Sequence, residues 1–295
     1  MRNKLIIFTT LVILVLVSSA CGGGGGQPQP VPDPTPTPNP NPTKTPISLA
    51  ITPTDGFTSG DKAGLYIVFN TNSVASTSNI DNMAVVYGKN VWTSSTITNW
   101  VDNTSRGDFY CYFPYYENIT NKNEYRFTVN TDQKSDAAFK NSNFMWGKTE
   151  SVLPTSSPVN IQLQSLMSTL TVKLIAGPGY SSTDIPRASV QICGVKKEAT
   201  INLTTGAITA VGESDVIQPH GTGDLRTAIV VPQSIQDANL IVVTIDGKEF
   251  KLKHTINLET GKNNECSITL KRTSEGLDLS VSGWESTGVD HGGTV

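Results

Sequence analysis

The chain has 295 residues and a formal net charge of −3, with only 16% of its residues charged. No basic face suited to nucleic acid and no basic amphipathic stretch suited to a membrane surface is present, which excludes both as partners of the folded body. From Ile47 onward the chain is long enough for two domains of ordinary size.

Arg2 and Lys4 open the chain, an apolar run extends from Leu5 to Val17, and Ser18, Ser19 and Ala20 lead to Cys21. That order is the layout of a secretory signal over residues 1–20. The run falls short of the roughly 20 apolar residues a retained helix needs to cross a hydrocarbon core. Cys21 after a small residue resembles the lipobox of bacterial lipoproteins, although Ser18 stands where leucine is usual. Acyl chains such as palmitate on Cys21 would hold the protein on a membrane, at about 0.8 kcal/mol per buried CH₂. Ordinary cleavage near Ala20, leaving a free thiol, is the alternative. Gly22 in place of an acidic residue favours the outer membrane.

Residues 21–46 are Cys21, five glycines and a stretch with proline at nearly every second position. Such a segment has almost nothing to bury and reads as an unfolded linker, its proline part a spacer of about 3 Å per residue.

The body is patterned with a period of two. Ile47, Leu49 and Ile51 alternate with small or polar residues, as do Tyr125, Phe127 and Val129, and again Val159, Ile161 and Leu163. These predict half-buried strands. Leu65 to Phe69, Met83 to Tyr87 and Phe109 to Phe113 are denser apolar runs, suited to central strands of a sandwich. Helical spacing is confined to a turn or two around Asp136 to Lys140. One strand ends and another, with Leu170, Val172 and Leu174, begins near Gln164 to Ser168, so the expected division is 47–166 and 167–295. Asp246-Gly247 predicts a two-residue hairpin pairing Ile245 with Lys248, Val243 with Phe250 and Ile241 with Leu252. Turn signals recur at Gly88, Gly107, Gly147, Gly177 to Gly179, Gly206, Gly221 to Gly223 and Gly261. An all-β fold of sandwiches or barrels follows.

Catalytic and cofactor motifs are absent from the sequence. His220, His254 and His291 are far apart, none at metal-ligand spacing, and read as surface residues. Thr260-Gly261-Lys262 lacks the first glycine and the final Ser/Thr of a phosphate loop and reads as a turn before a strand. Asp102 and Asp108 read as solvated loop carboxylates. Beyond Cys21, the cysteines Cys111, Cys193 and Cys266 are an odd set, and alternation puts Cys111 beside Phe109 and Phe113, and Cys266 beside Ile268 and Leu270, as small core residues. No catalytic residue, cofactor or metal site is therefore expected. Trp92, Trp100, Tyr110, Tyr112, Tyr115, Tyr116 and Trp146 are expected in a core, as large sandwiches bury such rings; the alternative, a surface glycan-binding lipoprotein, needs Trp92, Trp100 and Trp146 on one solvent-facing surface.

Several short motifs follow one another along the body: Phe57-Thr58-Ser59-Gly60-Asp61 with Gly64-Leu65-Tyr66, Trp92, Asp108-Phe109-Tyr110-Cys111-Tyr112-Phe113-Pro114-Tyr115, and Asn143-Phe144-Met145-Trp146-Gly147. Further on come Leu166-Met167-Ser168, Arg226 to Gln233, Asp246-Gly247-Lys248 and Trp284. Their order resembles the fimbrillin family, whose members are pilus subunits of Gram-negative bacteria. The resemblance implies two transthyretin-like β-sandwich domains and a non-enzymatic fimbrial subunit, or an accessory or anchor protein, with a role in cell adhesion. It implies assembly with other fimbrial subunits by β-strand exchange, at the outer membrane and cell surface, with a host or glycan ligand as a further partner. The strand to be displaced would be that of Ile47, Leu49 and Ile51. Lys62, in the Gly60-Asp61-Lys62 turn, would be the processing site, and Leu277, Leu279 and Val281 the donor or terminal strand. Shaft, anchor and tip roles all stay open.

Overall fold

The computed structural model describes residues 44–53, 56–70, 79–273 and 276–289. The signal over 1–20, Cys21, the linker as far as residue 43 and His291 lie outside the described residues.

The expected all-β fold is what the body forms. In its first part the strands are β1 (Leu49–Thr52), β2 (Lys62–Asn70), β3 (Ile80–Gly88), β4 (Val91–Ser94), β5 (Arg106–Phe113) and β6 (Tyr125–Thr128). The helix α1 (Asp136–Ser142) follows, then β7 (Met145–Val152), β8 (Val159–Gln162) and β9 (Gln164–Ser165). The second part holds β10 (Ser168–Ala176), β11 (Ser189–Ile201), β12 (Ile208–Ile217), β13 (Leu225–Val230) and β14 (Gln233–Ile245). It ends with β15 (Lys248–Leu258), β16 (Lys262–Thr273) and β17 (Gly276–Val289).

A six-stranded sheet in the order β4-β3-β2-β5-β7-β9 faces a small parallel sheet of β1 and β8. Between them Ala63, Leu65, Ile67 and Phe69 of β2 and Phe109, Cys111 and Phe113 of β5 meet Ile51, Val159, Ile161 and Leu163. The dense apolar runs of β2 and β5 have a direct cause. Their opposite-facing residues Tyr66 and Tyr112 are also buried, in a second core shared with the later strands. A strand covered on both faces loses the polar half of its alternation.

The later strands form two facing sheets, β13-β10-β16-β17 and β12-β11-β14-β15. Leu170, Val172, Cys266 and Ile268 from one sheet pack against Val190, Ile192, Ile241 and Val243 from the other. The strand of Tyr125 and Phe127, β6, joins the second of these sheets by pairing antiparallel with β11. The hairpin at Asp246-Gly247 forms in the expected register, with both turn residues at positive φ (50° and 73°). That is the backbone a tight two-residue hairpin turn demands.

Two turn signals of the sequence are corrected. Gly107 lies inside β5 and Gly147 inside β7. A Cβ on Gly147 would stand 2.1 Å from the carbonyl oxygen of Gln162, so this glycine exists for the close approach of β7 to β8. Thr260 and Gly261 do form the turn before β16.

Candidate functional site

Strand β1 is short but central. It runs parallel to β8 in the register Leu49 to Val159 through Thr52 to Gln162. The Val159 and Leu163 amides donate to Ser48 O (2.9 Å) and Thr52 O (2.7 Å). On its other side the preceding residues bond a second segment: Ile47 N donates to Thr98 O (2.8 Å) and Trp100 N to Thr45 O (2.9 Å). Thr45 and Pro46, part of the linker by composition, thus already pair with the body. Ile51 is 2% exposed, while Ile47 and Leu49 are half-buried against the same core. The segment therefore lies over an apolar floor, bonded to Thr98 and Trp100 along residues 45–47 and to β8 along residues 48–52.

Lys62 is the first residue of β2, beyond the turn in which the sequence put it. The turn closes earlier: Thr58 N donates to the Asp61 carboxylate (2.6 Å) and Asp61 N to Thr58 O (3.0 Å). The ladder starts at once because Lys62 pairs with Val86 of β3, and Lys62 O accepts from Tyr115 N at 2.9 Å. The Lys62 side chain is exposed and lines an open cleft with Pro114, Tyr115, Tyr116 and Asn130, yet the next residue, Ala63, is fully buried.

The turn before Lys62 is fastened from a distance. Lys140, on α1, forms an ion pair with Asp61, and its ammonium donates to Thr58 Oγ1 (3.2 Å). The same ammonium lies 5.8 Å from the Phe57 ring centre and 6.0 Å from that of Phe113. Phe57 in turn meets Trp92 edge-on at 4.9 Å and Phe113 at 5.0 Å. Both charged side chains are mostly buried, 23% exposed for Lys140 and 18% for Asp61. Lys140 was invisible as a site residue because nothing in a strand-and-turn pattern links positions 79 apart.

At the other end, β17 pairs antiparallel with β16, setting Leu277 opposite Arg272, Leu279 opposite Leu270 and Val281 opposite Ile268. Leu279 and Val281 are half-buried against the core, and β17 is an edge strand. It runs on to Val289, through the polar residues Glu285, Ser286 and Thr287.

The aromatic residues do not form a platform. Trp92 is 4% and Trp100 1% exposed, both inside the first core. Trp146 is half-buried against the second core, its indole N–H donating to Leu203 O at 2.7 Å and its ring pressed on Gly206, whose φ is +74°. Tyr112 is also buried, and burial raises its phenol far above the usual range.

Other expectations resolve individually. Cys111 and Cys266 are buried free thiols pushed up to about 12 by desolvation, hence inert core residues. His220 is no plain surface residue: its side chain is 12% exposed, stacks on Phe139 at 4.9 Å and meets Asp136 at 2.8 Å. Asp102 does lie in a loop and accepts hydrogen bonds from Ser105 and Thr104, which lower it to about 2. Asp108 instead sits on β5, accepting from Ser151 N (2.6 Å) and Asn70 Nδ2 (2.7 Å). Among the described residues no group of three or more His, Cys, Asp or Glu is arranged to hold a metal ion. No helix among them is long and apolar enough to cross a membrane.

The same architecture recurs in known proteins. A candidate cell-adhesion protein of Bacteroides uniformis is 22% identical, with a TM-score of 0.67 over 83% of this chain and 99% of its own. Another, of Bacteroides ovatus, is 15% identical with a TM-score of 0.68 over 84% and 99%. A fimbrial protein of Bacteroides ovatus is 17% identical with a TM-score of 0.50, over 79% of this chain and 49% of its own. At such identities the likeness is one of fold. No curated sequence matches significantly. The family model described as fimbrillin-like matches residues 50–284, from within β1 to within β17, and on that span the chain belongs to the fimbrillin-like family.

Proposed function

We propose that this chain is a non-enzymatic fimbrial (pilus) subunit, or an accessory or anchor protein of the fibre, that serves cell adhesion and assembles by β-strand exchange. Its partners are other fimbrial subunits. A lipid on Cys21 holds it at the outer membrane, on the cell surface.

The observation that carries this is the slot filled by β1. With residues 45–52 withdrawn, Val159, Ile161 and Leu163 lose their cover. The backbone groups of β8 that bonded residues 48–52, and those of Thr98 to Trp100 that bonded residues 45–47, then lose their partners. An extended segment from another subunit, apolar at alternate positions, meets the same needs. For its own part, β17 is already paired along its length, so it would have to leave β16 before serving as a donor. This favours an acceptor at one end of a fibre over a repeating shaft unit. The glycan-binding alternative draws no support from the indoles, since Trp92 and Trp100 are buried.

Intact-mass measurement on outer-membrane and sheared-fibre fractions tests the proposal. A chain starting at acylated Cys21 and confined to the membrane is the expected anchor form, and one starting at Ala63 in fibres marks a polymerising subunit. An unlipidated chain in the medium, absent from both fractions, overturns it.

A further inference from the structure

The bond most exposed to question is Lys62–Ala63, the point after which the β1 segment would be separated from the body. It is not open to a protease in the folded chain. A protease must draw several residues on both sides of the scissile bond into extended form within its own cleft, so cleavage samples the locally opened state. Here Lys62 O is held by Tyr115 N, Ala63 is fully buried, and the preceding turn is tied to β3 through Gly60 N to Tyr87 O (2.9 Å) and Tyr87 N to Asp61 O (2.8 Å).

Most of these bonds are ordinary ladder and turn contacts. Lys140 differs in kind. It reaches the turn from α1 and meets Asp61, Thr58 Oγ1 and the rings of Phe57 and Phe113 with one ammonium group. The helix that carries it is itself fixed, capped by Ser135 Oγ accepting from Ala138 N (3.2 Å), with Asn130 Nδ2 donating to Ala138 O (3.0 Å). Removing one partner of an ion pair this covered leaves the other charge poorly solvated, and opening of the segment hydrates it.

We propose that Lys140 is a latch residue whose bond to Asp61 keeps the segment after β1 closed and the Lys62–Ala63 bond cryptic. The proposal rests on the strand-exchange reading only in naming β1 as the strand that would leave. Strand release is then controlled by α1, whose main contact among the strands is β13. A cut after Lys62 requires α1 to let go of Asp61 first.

The test is limited trypsin digestion of the full chain, following by mass the fragment that starts at Ala63. The exposed turn at Lys89-Asn90 supplies an internal reference cut. In the native chain, cutting after Lys89 precedes cutting after Lys62. Lys140→Met, which keeps most of the aliphatic stem, and Asp61→Asn should each raise the rate after Lys62 by roughly tenfold or more, with the Lys89 rate unchanged. Lys140→Arg should restore protection. Equal Lys62 rates in native and Lys140→Met protein overturn the latch, as does a native chain cut after Lys62 as fast as after Lys89. Parallel acceleration at both sites in every variant also counts against it, because that is global destabilisation. The strand-exchange reading fails separately, if chain clipped after Lys62 takes up no synthetic peptide of residues 45–53 while the latch behaves as stated.

Discussion

The first and last strands of the body are held in opposite ways. β1 has four registered pairs with β8, the residues just before it bond Thr98 and Trp100, and it buries Ile51 to 2% exposure. β17 has eleven registered pairs with β16 along fourteen residues, yet it lies at a sheet edge with Leu279 and Val281 only half-buried. Hydrogen-bond count and core burial are thus separated between the two ends of one chain. A long ladder at an edge resists fraying through many small terms, each net bond contributing about 1 kcal/mol. A short strand over a core is held by the apolar surface it covers, and its loss leaves a cavity beside the open edge of β8.

The comparison is broken most directly at Ile51. Ile51→Ala should destabilise by about 3 kcal/mol in urea unfolding and speed amide exchange across residues 47–52, since a fully buried isoleucine is truncated. Unchanged stability would mean that β1 is held by its hydrogen bonds, as β17 is. Gly147→Ala acts on the partner of β1. Its new methyl would collide with the Gln162 carbonyl, so β7 and β8 must separate, and a loss of about 2 kcal/mol is expected from the same unfolding curve. At the opposite end, Leu279→Ala should lose only about 1 kcal/mol, roughly half the transfer value of a fully buried leucine. A larger loss than at Ile51 would invert the comparison.

The smallest effect concerns acid. Asp102 closes the loop that follows Thr98 to Trp100, and hydrogen bonds from Ser105 and Thr104 lower its pKa from 3.8 to about 2. A folded pKa below the unfolded one means stability present above about 3.8 and lost as pH falls through about 2. Asp102→Asn should therefore flatten the stability profile in that window. Exchange measured at pH 2.5 should rise around residues 45–47 before it rises in β17.

Much of this was legible in the residues. The hairpin at Asp246-Gly247 was readable because the turn chemistry and the alternation of Ile241, Val243 and Ile245 against Leu252 and Phe250 are local. The core positions of Cys111 and Cys266 followed from parity with their neighbours. Gly147 was misread as a turn because a glycine that relieves a close approach looks the same in sequence as one that bends the chain. The core reading for Trp146 rested on its type alone, since its environment is Leu203 and Gly206, more than fifty residues away.

By itself, then, the sequence determined the strands that alternate clearly, such as β1, β6, β8 and β10, and which side of each is apolar, because the two-residue period is written in adjacent positions. The tertiary structure alone decided the partners: β1 beside β8, β6 in the sheet of β11, Lys62 inside a ladder and Lys140 on Asp61. Pairing is chosen by surfaces that meet only after the chain has folded back over many tens of residues, and no local pattern carries that distance.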